Sequence, residues 1–254
     1  MTRLRRSRQA FPAHRALRCA RHSRRPSLPK GPPRLPLDLT QAQLPVPHAG
    51  YHHLGAQSTE QLALVRPRLE VTNPGVRRDT IDFVATRVMA KEDYNGSTRW
   101  LEAGWAEVGW RNNDQYVYTF DTRDNQWKFY DQYNLASGTR FFALIDSEVS
   151  STRSTYWRAW IWWNNQWNRL SRISLPIYDE AFMEEYVEVY RDPNVAGHFS
   201  LPSTDVDNVQ VTESPGSSVV WWRDPPINTA AGSSIAPYCL TWDVRYDDFR
   251  AASC

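Results

Sequence analysis

The chain of 254 residues lacks long apolar runs and has only three cysteines. No stretch of about 18 apolar residues occurs, so the sequence predicts no membrane-spanning segment. The cysteines Cys19, Cys239 and Cys254 lack the paired spacing and flanking histidines of a zinc site, and we expect no metal. In an oxidising compartment Cys239 and Cys254 could close a loop worth about 3 kcal/mol, whereas in the cytosol they would stay free thiols.

Acidic residues are absent from residues 1–36, which carry ten arginines and one lysine. This segment has little aliphatic patterning and cannot bury enough surface to offset its chain entropy, so we predict a disordered Arg/Pro-rich tail and linker over residues 1–50. Its start could be a twin-arginine export signal or a nucleic-acid arm, but the apolar stretch of about 7–15 residues that an export signal needs is missing. A solvated tail, or an upstream translated stretch that is not part of the natural product, fits better.

The rest of the chain carries 19 basic and 28 acidic side chains, a balance that disfavours nucleic-acid binding. Residues 37–76 contain Pro, His and Gln without sustained periodicity, and this pattern indicates a linker or peripheral arm. Within it, His52 and His53 have no carboxylate or thiol partners at ligand spacing. We therefore expect an exposed loop there, not a metal site.

From Asp79 onward, short runs of β-branched and aromatic residues alternate with turn signals such as Asn95-Gly96 and Asn164-Asn165. Long helical patterns are absent. The pattern predicts an all-β fold, an antiparallel jelly-roll (concanavalin-like) β-sandwich over residues 77–225, with residues 226–254 as a C-terminal extension packed on it. The predicted strands are Ile81–Lys91, Arg99–Trp110, Gln115–Asp121, Gln126–Tyr133, Arg140–Asp146, Thr155–Trp163, Gln166–Ile173, Glu184–Arg191, Asn208–Thr212 and Val219–Arg223.

Nine of the twelve tryptophans lie between Trp100 and Trp167. The run from Tyr156 to Trp163 places rings on both faces of one predicted strand, so that one face can serve the core and the other a groove. We expect Trp160 and Trp162 to line that groove.

Two glutamates stand among aromatic residues in strand-like sequence. Side chains alternate along a strand, so Glu102 and Glu107 point to opposite faces, and Glu188 lies between Tyr186 and Tyr190 on the open face of its sheet. Two carboxyl groups brought together can split their pKa values into an acid and a base. If Glu102 and Glu188 meet in space, the protein is expected to be a hydrolase.

Four motifs in order resemble the neprosin family of glutamic peptidases. Leu101-Glu102-Ala103-Gly104-Trp105 resembles that family's Ile/Val-Glu-Ala-Gly-Trp segment, and Glu188-Val189-Tyr190 resembles its Gly-Gly-Glu-Val-Tyr segment. Tyr133-Asn134-Leu135 and Gly197-His198-Phe199 match two further segments in the same order. The order of the acidic positions is also similar to the fungal glutamic peptidases. The resemblance covers about residues 98–200.

The sequence departs from the family at two places. Gln132 and Ser137 stand where the family has paired cysteines, so that disulfide is missing. Tyr186 and Val187 replace the two glycines before the second glutamate, which could crowd the backbone or narrow a groove. The resemblance therefore implies a divergent relative.

The function implied by the resemblance is an acid-acting endopeptidase that needs no cofactor and cleaves polypeptide substrates. One of Glu102 and Glu188 would activate water, and the other, protonated, would polarise the scissile carbonyl and later protonate the amine. Tyr186 and Tyr190, with the tryptophans at 160 and 162, are the expected substrate-binding residues. The resemblance also implies a secreted or extracytoplasmic protein.

Two other classes of function fit the sequence. Two glutamates about 85 residues apart on an aromatic face also describe some jelly-roll glycoside hydrolases, whose retaining members hold the carboxyl groups about 5–5.5 Å apart. A carbohydrate-binding, lectin-like sandwich would instead use the rings as platforms, and its binding would survive when Glu102 and Glu188 become glutamine.

Overall fold

The computed structural model describes residues 50–148, 155–224 and 227–254, and in these ranges it contains strands, turns and loops but no helix. The described residues belong to one compact unit. The predicted basic tail and Cys19 lie outside them. The strands are β1 Tyr51–Leu62, β2 Leu64–Glu70, β3 Phe83–Tyr94, β4 Ser97–Val108, β5 Tyr116–Asp121, β6 Gln126–Tyr130, β7 Arg140–Glu148, β8 Tyr156–Trp163, β9 Gln166–Ser174, β10 Ala181–Tyr190, β11 Thr204–Thr212, β12 Val220–Trp221, β13 Thr229–Ala231, β14 Tyr238–Val244 and β15 Asp248–Ser253.

These strands form two antiparallel sheets packed face to face. The first sheet has seven strands in the order β13-β1-β10-β3-β4-β5-β6. The second sheet has eight, in the order β14-β15-β11-β2-β7-β8-β9, with β12 beside β11. The predicted all-β antiparallel sandwich is confirmed.

Strand alternation decides which side chains enter the space between the sheets. On β4, Leu101, Ala103 and Trp105 are fully buried in the main core, while Glu102 and Gly104 lie on the opposite, outer face of the first sheet. The Trp105 indole nitrogen donates a hydrogen bond to the Glu70 carbonyl at 2.8 Å and so joins the two sheets. The core therefore fixes the face on which any site at Glu102 must lie.

Each of the ten strands expected from the sequence corresponds to a strand of the structure, with shifted ends. The turn residues also behave as predicted. Asn95, Asn125, Asn164 and Asn165 have φ values of 50°, 52°, 51° and 61°, which asparagine tolerates better than most residues.

The interpretation of residues 37–76 as a linker or arm is wrong for residues 51–70, which form β1 and β2. Both strands lie inside the sheets, β1 beside β10 and β2 between β11 and β7. Pro67 weakens the strand signal of β2 in the sequence, because proline is rare inside a sheet. In the structure the register of β2 with β11 is irregular at that point. Strands β13 to β15 are likewise members of the two sheets.

A disulfide bond closes the C-terminal hairpin. Cys239 on β14 is bonded to Cys254, which follows β15, and their Cα atoms are 5.0 Å apart. Of the two states that the sequence allowed for these cysteines, the structure has the bonded one.

Candidate active site

The outer face of the first sheet holds a buried cluster of charged side chains centred on Arg87 of β3. Arg87 pairs with Tyr186 of β10 on one side and with Gly104 of β4 on the other. Residues two positions away on a strand share its face, so Glu188 and Glu184 of β10 flank Arg87 from one side. Glu102 flanks it from the other.

Arg87 contacts three carboxylates. Its Nε donates to Glu188 Oε2 at 2.5 Å and lies 3.4 Å from Glu102 Oε2, and its Nη1 donates to Glu184 Oε2 at 3.0 Å. Glu184 also pairs with Lys91. The cluster is largely withdrawn from solvent, since Arg87 is 4% exposed and Glu102 and Glu188 are 8% and 7% exposed.

Glu102 and Glu188 are brought together by this arginine. Each has a carboxylate oxygen within 3.4 Å of the same Nε atom, so the two oxygens are no more than twice that distance apart. Glu107, by contrast, is fully buried on the other face of β4, where it accepts hydrogen bonds from the Val76 amide and the Gln115 side chain. The separation of Glu102 from Glu107 that strand alternation predicted is therefore observed.

The two glutamates have opposite protonation tendencies. Burial raises the pKa of Glu102 to about 8, with the neighbouring Glu188 and Glu184 charges adding to the rise and Arg87 opposing it. Burial also acts on Glu188, but the charges of Arg87 and His53 and their hydrogen bonds outweigh it and lower the pKa of Glu188 to about 2. These opposite shifts favour the proton on Glu102 and the negative charge on Glu188.

His53 of β1 completes the environment of Glu188. Its Nε2 lies 3.8 Å from Glu188 Oε1, and its ring stacks on Tyr186 with centroids 4.9 Å apart. The Arg87 guanidinium lies 5.1 Å from the centroid of the same tyrosine ring. The exposed loop predicted for His52 and His53 is wrong, because β1 buries His52 towards the interior and places His53 on the outer face.

Gly104 is required for the close approach of β3 and β4. A Cβ at this position would lie 2.0 Å from the Thr86 carbonyl oxygen and 2.9 Å from the Arg87 Cα. The small residue beside Glu102 therefore allows the backbone of the neighbouring strand to come near, which holds Arg87 next to the carboxylates.

The structure separates the four predicted substrate-binding residues. Tyr186 and Tyr190 share the outer face of β10 with Glu188, but Trp160 and Trp162 lie on β8 in the second sheet. There Trp157, Ala159 and Ile161 fill the core, so the two intervening tryptophans point away from the sandwich on its far side. Trp160 and Trp162 therefore do not share a face with the glutamates, and their role in substrate binding stays a prediction.

Arg87, Glu184 and His53 are the members of the cluster that the sequence reasoning missed. A signal for Arg87 exists, since it is the one charged residue in the otherwise apolar or small stretch from Phe83 to Ala90. Side-chain alternation puts Glu184 on the face of Glu188, but no pattern in the sequence indicates its ion pairs.

No group of three or more His, Cys, Asp and Glu side chains in the described ranges is arranged to hold a metal ion. The described residues also include no helix with the length and hydropathy needed to cross a bilayer. The side chains around Arg87 supply three carboxyl groups and the imidazole of His53.

Three solved structures of peptidases are similar to this chain. Scytalido-glutamic peptidase with a peptide-based transition-state analogue has a TM-score of 0.53 at 10% sequence identity, over 82% of this chain and 99% of that chain. The same peptidase with a transition-state analogue inhibitor gives 0.49 at 11% identity, over 80% and 98% of the chains. SCP-B, a member of the eqolisin family in complex with the tripeptide Ala-Ile-His, gives 0.49 at 10% identity, over 82% and 99%.

The first of these likenesses establishes the fold: the chain has the β-sandwich of the glutamic peptidases. It does not single out the neprosin family that the sequence motifs resemble. Comparison of the sequence with protein-family models and with curated proteins finds no match.

Replacing Glu102 with glutamine is expected to stabilise the protein increasingly as pH rises from about 4.5 to 8. In this interval the folded wild type keeps a proton on Glu102 that the unfolded chain releases, so its free energy of unfolding falls with pH, by up to about 1.4 kcal/mol per pH unit. Glutamine keeps the neutral shape and does not titrate. Urea unfolding at pH 5, 6, 7 and 8 measures the difference.

The control is Glu213→Gln, which removes an exposed carboxyl group by the same chemical change and is measured at the same four pH values. A constant offset between wild type and Glu102→Gln across the four pH values would show that Glu102 is not held protonated by the fold.

Proposed function

We propose that the protein is a glutamic-type endopeptidase whose acid and base are Glu102 and Glu188. The observation that carries this proposal is their convergence on Arg87 Nε, with Glu102 favoured as the protonated and Glu188 as the ionised member. A general base must be ionised and its partner protonated over the same pH range, and this pair meets that requirement.

In the proposed reaction the Glu188 carboxylate takes a proton from a water molecule as the water oxygen attacks the scissile carbonyl carbon. The Glu102 carboxyl donates a hydrogen bond to the carbonyl oxygen and stabilises the negative charge that develops there. Glu102 then gives its proton to the departing amine as the C–N bond breaks. The proton held by Glu188 passes to Glu102, and the pair returns to its starting state.

Arg87 is proposed to hold Glu188 ionised and to keep the two carboxyl groups at a fixed separation. Its positive charge lowers the pKa of Glu188 despite that group's burial. The same charge makes Glu188 a weaker base, but it also widens the pH range over which Glu188 is ionised.

The likeness to scytalido-glutamic peptidase supports this proposal, because that protein was solved with a peptide-based transition-state analogue. The four motifs around Glu102 and Glu188 support membership of the neprosin family as the finer assignment. The Cys239–Cys254 disulfide supports an exported protein, since such bonds persist in oxidising compartments.

The experiment that tests the proposal is cleavage of a denatured protein by the purified chain from pH 2 to pH 9. We expect a bell-shaped profile with its plateau between about pH 3 and 7, because Glu188 must be ionised and Glu102 protonated. The acid range implied by the family resemblance lies inside this interval. Product peptides are identified by mass spectrometry, with chelator present to exclude a contaminating metallopeptidase.

Absence of cleavage by the folded chain over the whole pH range would contradict the proposal. A profile confined to alkaline pH would contradict the assignment of acid and base.

A further inference from the structure

An aromatic patch covers one half of the outer face of the first sheet. It is built from side chains of β1, β3, β5, β6 and β10 that alternate with core residues on the same strands. A solvated sheet face normally carries polar side chains, so a contiguous group of rings indicates that something apolar binds there. The members of the patch are Tyr51, Phe83, Tyr118, Phe120, Trp127, Phe129 and Tyr190.

The rings of the patch are in mutual contact. Phe83 stacks on Tyr190 at 5.6 Å between centroids and meets Trp127 edge-on at 5.3 Å. Trp127 in turn stacks on Tyr118 at 4.6 Å. Beside them Trp110 meets both Phe83 and Trp127 and is 45% exposed. Tyr51, Trp127, Phe129 and Tyr190 are only partly buried, which leaves ring surface open to a ligand.

The patch directly borders the two glutamates. Tyr190 follows Glu188 by two residues on the same face of β10, and Tyr118 is the cross-strand partner of Gly104, next to Glu102. The charges of both glutamates also reach Tyr51, where burial first and Glu188 second raise the pKa of the phenol. A side chain bound on the rings would therefore stand beside the bond that the carboxyl groups act on.

The opposite end of the same face combines charged and amide side chains with Trp100, which stacks on Phe120 at 5.8 Å between ring centroids. Glu184 pairs with Lys91, Lys91 Nζ donates to the Gln57 side chain at 3.0 Å, and Gln61 donates to Glu92 at 2.7 Å. The two halves thus offer different environments on either side of Arg87.

We infer that the aromatic patch is a binding site for a bulky apolar side chain, aromatic or leucine-like, of a polypeptide adjacent to the bond that is cleaved. The position of this site next to a cleaved bond rests on the proposed peptidase function. The binding preference itself follows from the rings, because transfer of such a side chain onto them removes apolar surface from water on both partners.

The test measures binding and not cleavage, so that its failure is separate from failure of the peptidase proposal. The protein is the full chain with Glu102→Gln, which keeps the neutral form of that group and removes the acid. The probes are four fluorescein-labelled octapeptides, glycine and serine throughout except for one central Phe, Leu, Ser or Glu. Fluorescence anisotropy at pH 6 gives the dissociation constants, and we expect the Phe and Leu peptides to bind at least about tenfold more tightly than the Ser peptide.

Two variants test the location. Trp127→Ala removes the central ring, and Trp110→Ser changes a neighbour that is 45% exposed, so the fold is expected to tolerate its loss. Both are expected to reduce the preference for Phe over Ser. Trp167→Ala is the matched control, because this ring lies on β9 of the second sheet and contacts Trp162 there. Circular dichroism confirms folding of each variant.

Equal affinities for the four peptides, no binding of any peptide, or a preference that survives both Trp127→Ala and Trp110→Ser would overturn the inference. If Glu102→Gln binds the apolar peptides selectively and the wild type cleaves nothing, the apolar binding site is supported and the peptidase function is contradicted.

Discussion

Replacing Glu188 with glutamine is expected to lower the rate of peptide cleavage by at least about a thousandfold, the upper part of the range for loss of a general base. The amide of glutamine has nearly the shape of the carboxylate but cannot accept the proton of the attacking water. Arg87 keeps Glu184 and Glu102 as partners, so the sheet is expected to remain folded. Initial rates on one fluorogenic peptide at pH 5 measure the effect.

The neighbouring Glu185 provides a matched control on the same strand. It lies on the opposite face of β10, fully buried in the sandwich, and burial raises the pKa of its carboxyl well above the ordinary value. Glu185→Gln therefore preserves the charge state and should leave the rate within about twofold of wild type. Equal rates for Glu188→Gln and wild type would exclude Glu188 as the base.

The same variants distinguish a peptidase from a binding-only sandwich. A lectin-like protein would show no turnover in the wild type, and its ligand would still bind after Glu102→Gln and Glu188→Gln. In the peptidase, each single change should abolish turnover while a peptide still binds. If the wild type turns over a peptide and both variants do not, the result fits the peptidase and not the binding-only sandwich.

Replacing Arg87 with glutamine is expected to reduce the free energy of unfolding by about 3–5 kcal/mol at pH 7. The guanidinium is 4% exposed and contacts Glu102, Glu184 and Glu188, so its removal leaves buried negative charge without its main compensation. The effect is much larger than that of a surface ion pair, because solvent does not screen this cluster.

The loss should shrink as pH falls towards 4. Without Arg87 the pKa of Glu188 rises, so the folded state takes up a proton in acid and the uncompensated charge disappears. Urea unfolding of wild type and Arg87→Gln at pH 4 and pH 7 measures this. A second variant, Arg87→Gln with Glu184→Gln, should recover part of the stability at pH 7. A loss below about 1 kcal/mol, or one equal at both pH values, would show that the cluster is solvated.

Local sequence patterns were sufficient for much of the fold. Period-two alternation located ten strands, and asparagine- and glycine-containing turns marked their ends, because both signals depend on a few adjacent residues. Alternation also set the faces of Glu102, Glu107 and Glu188 correctly. It failed at β1, where His52, Ala56 and Ser58 occupy interior positions with weak hydrophobic contrast, and at β2, where Pro67 interrupts the pattern.

Those two strands had a direct consequence for the candidate site. A linker over residues 51–62 implies an exposed loop at His53, whereas in the structure His53 contacts Glu188 across the β1–β10 pair. The separation of Trp160 and Trp162 from the two glutamates has a related cause. Alternation assigns a side chain to one of two faces of its own strand, but which sheet contains that strand is not a local property.

The sequence by itself determined an all-β chain with two glutamates on open strand faces and aromatic residues around them, since side-chain alternation is a property of the extended backbone. Only the tertiary structure decided that these glutamates meet, because the pairing of β10 with β3 and of β3 with β4 joins residues about 85 positions apart. It also decided that Arg87 lies between them. The opposite pKa shifts of Glu102 and Glu188 follow from that placement, since burial and a shared cation act only at contact distance.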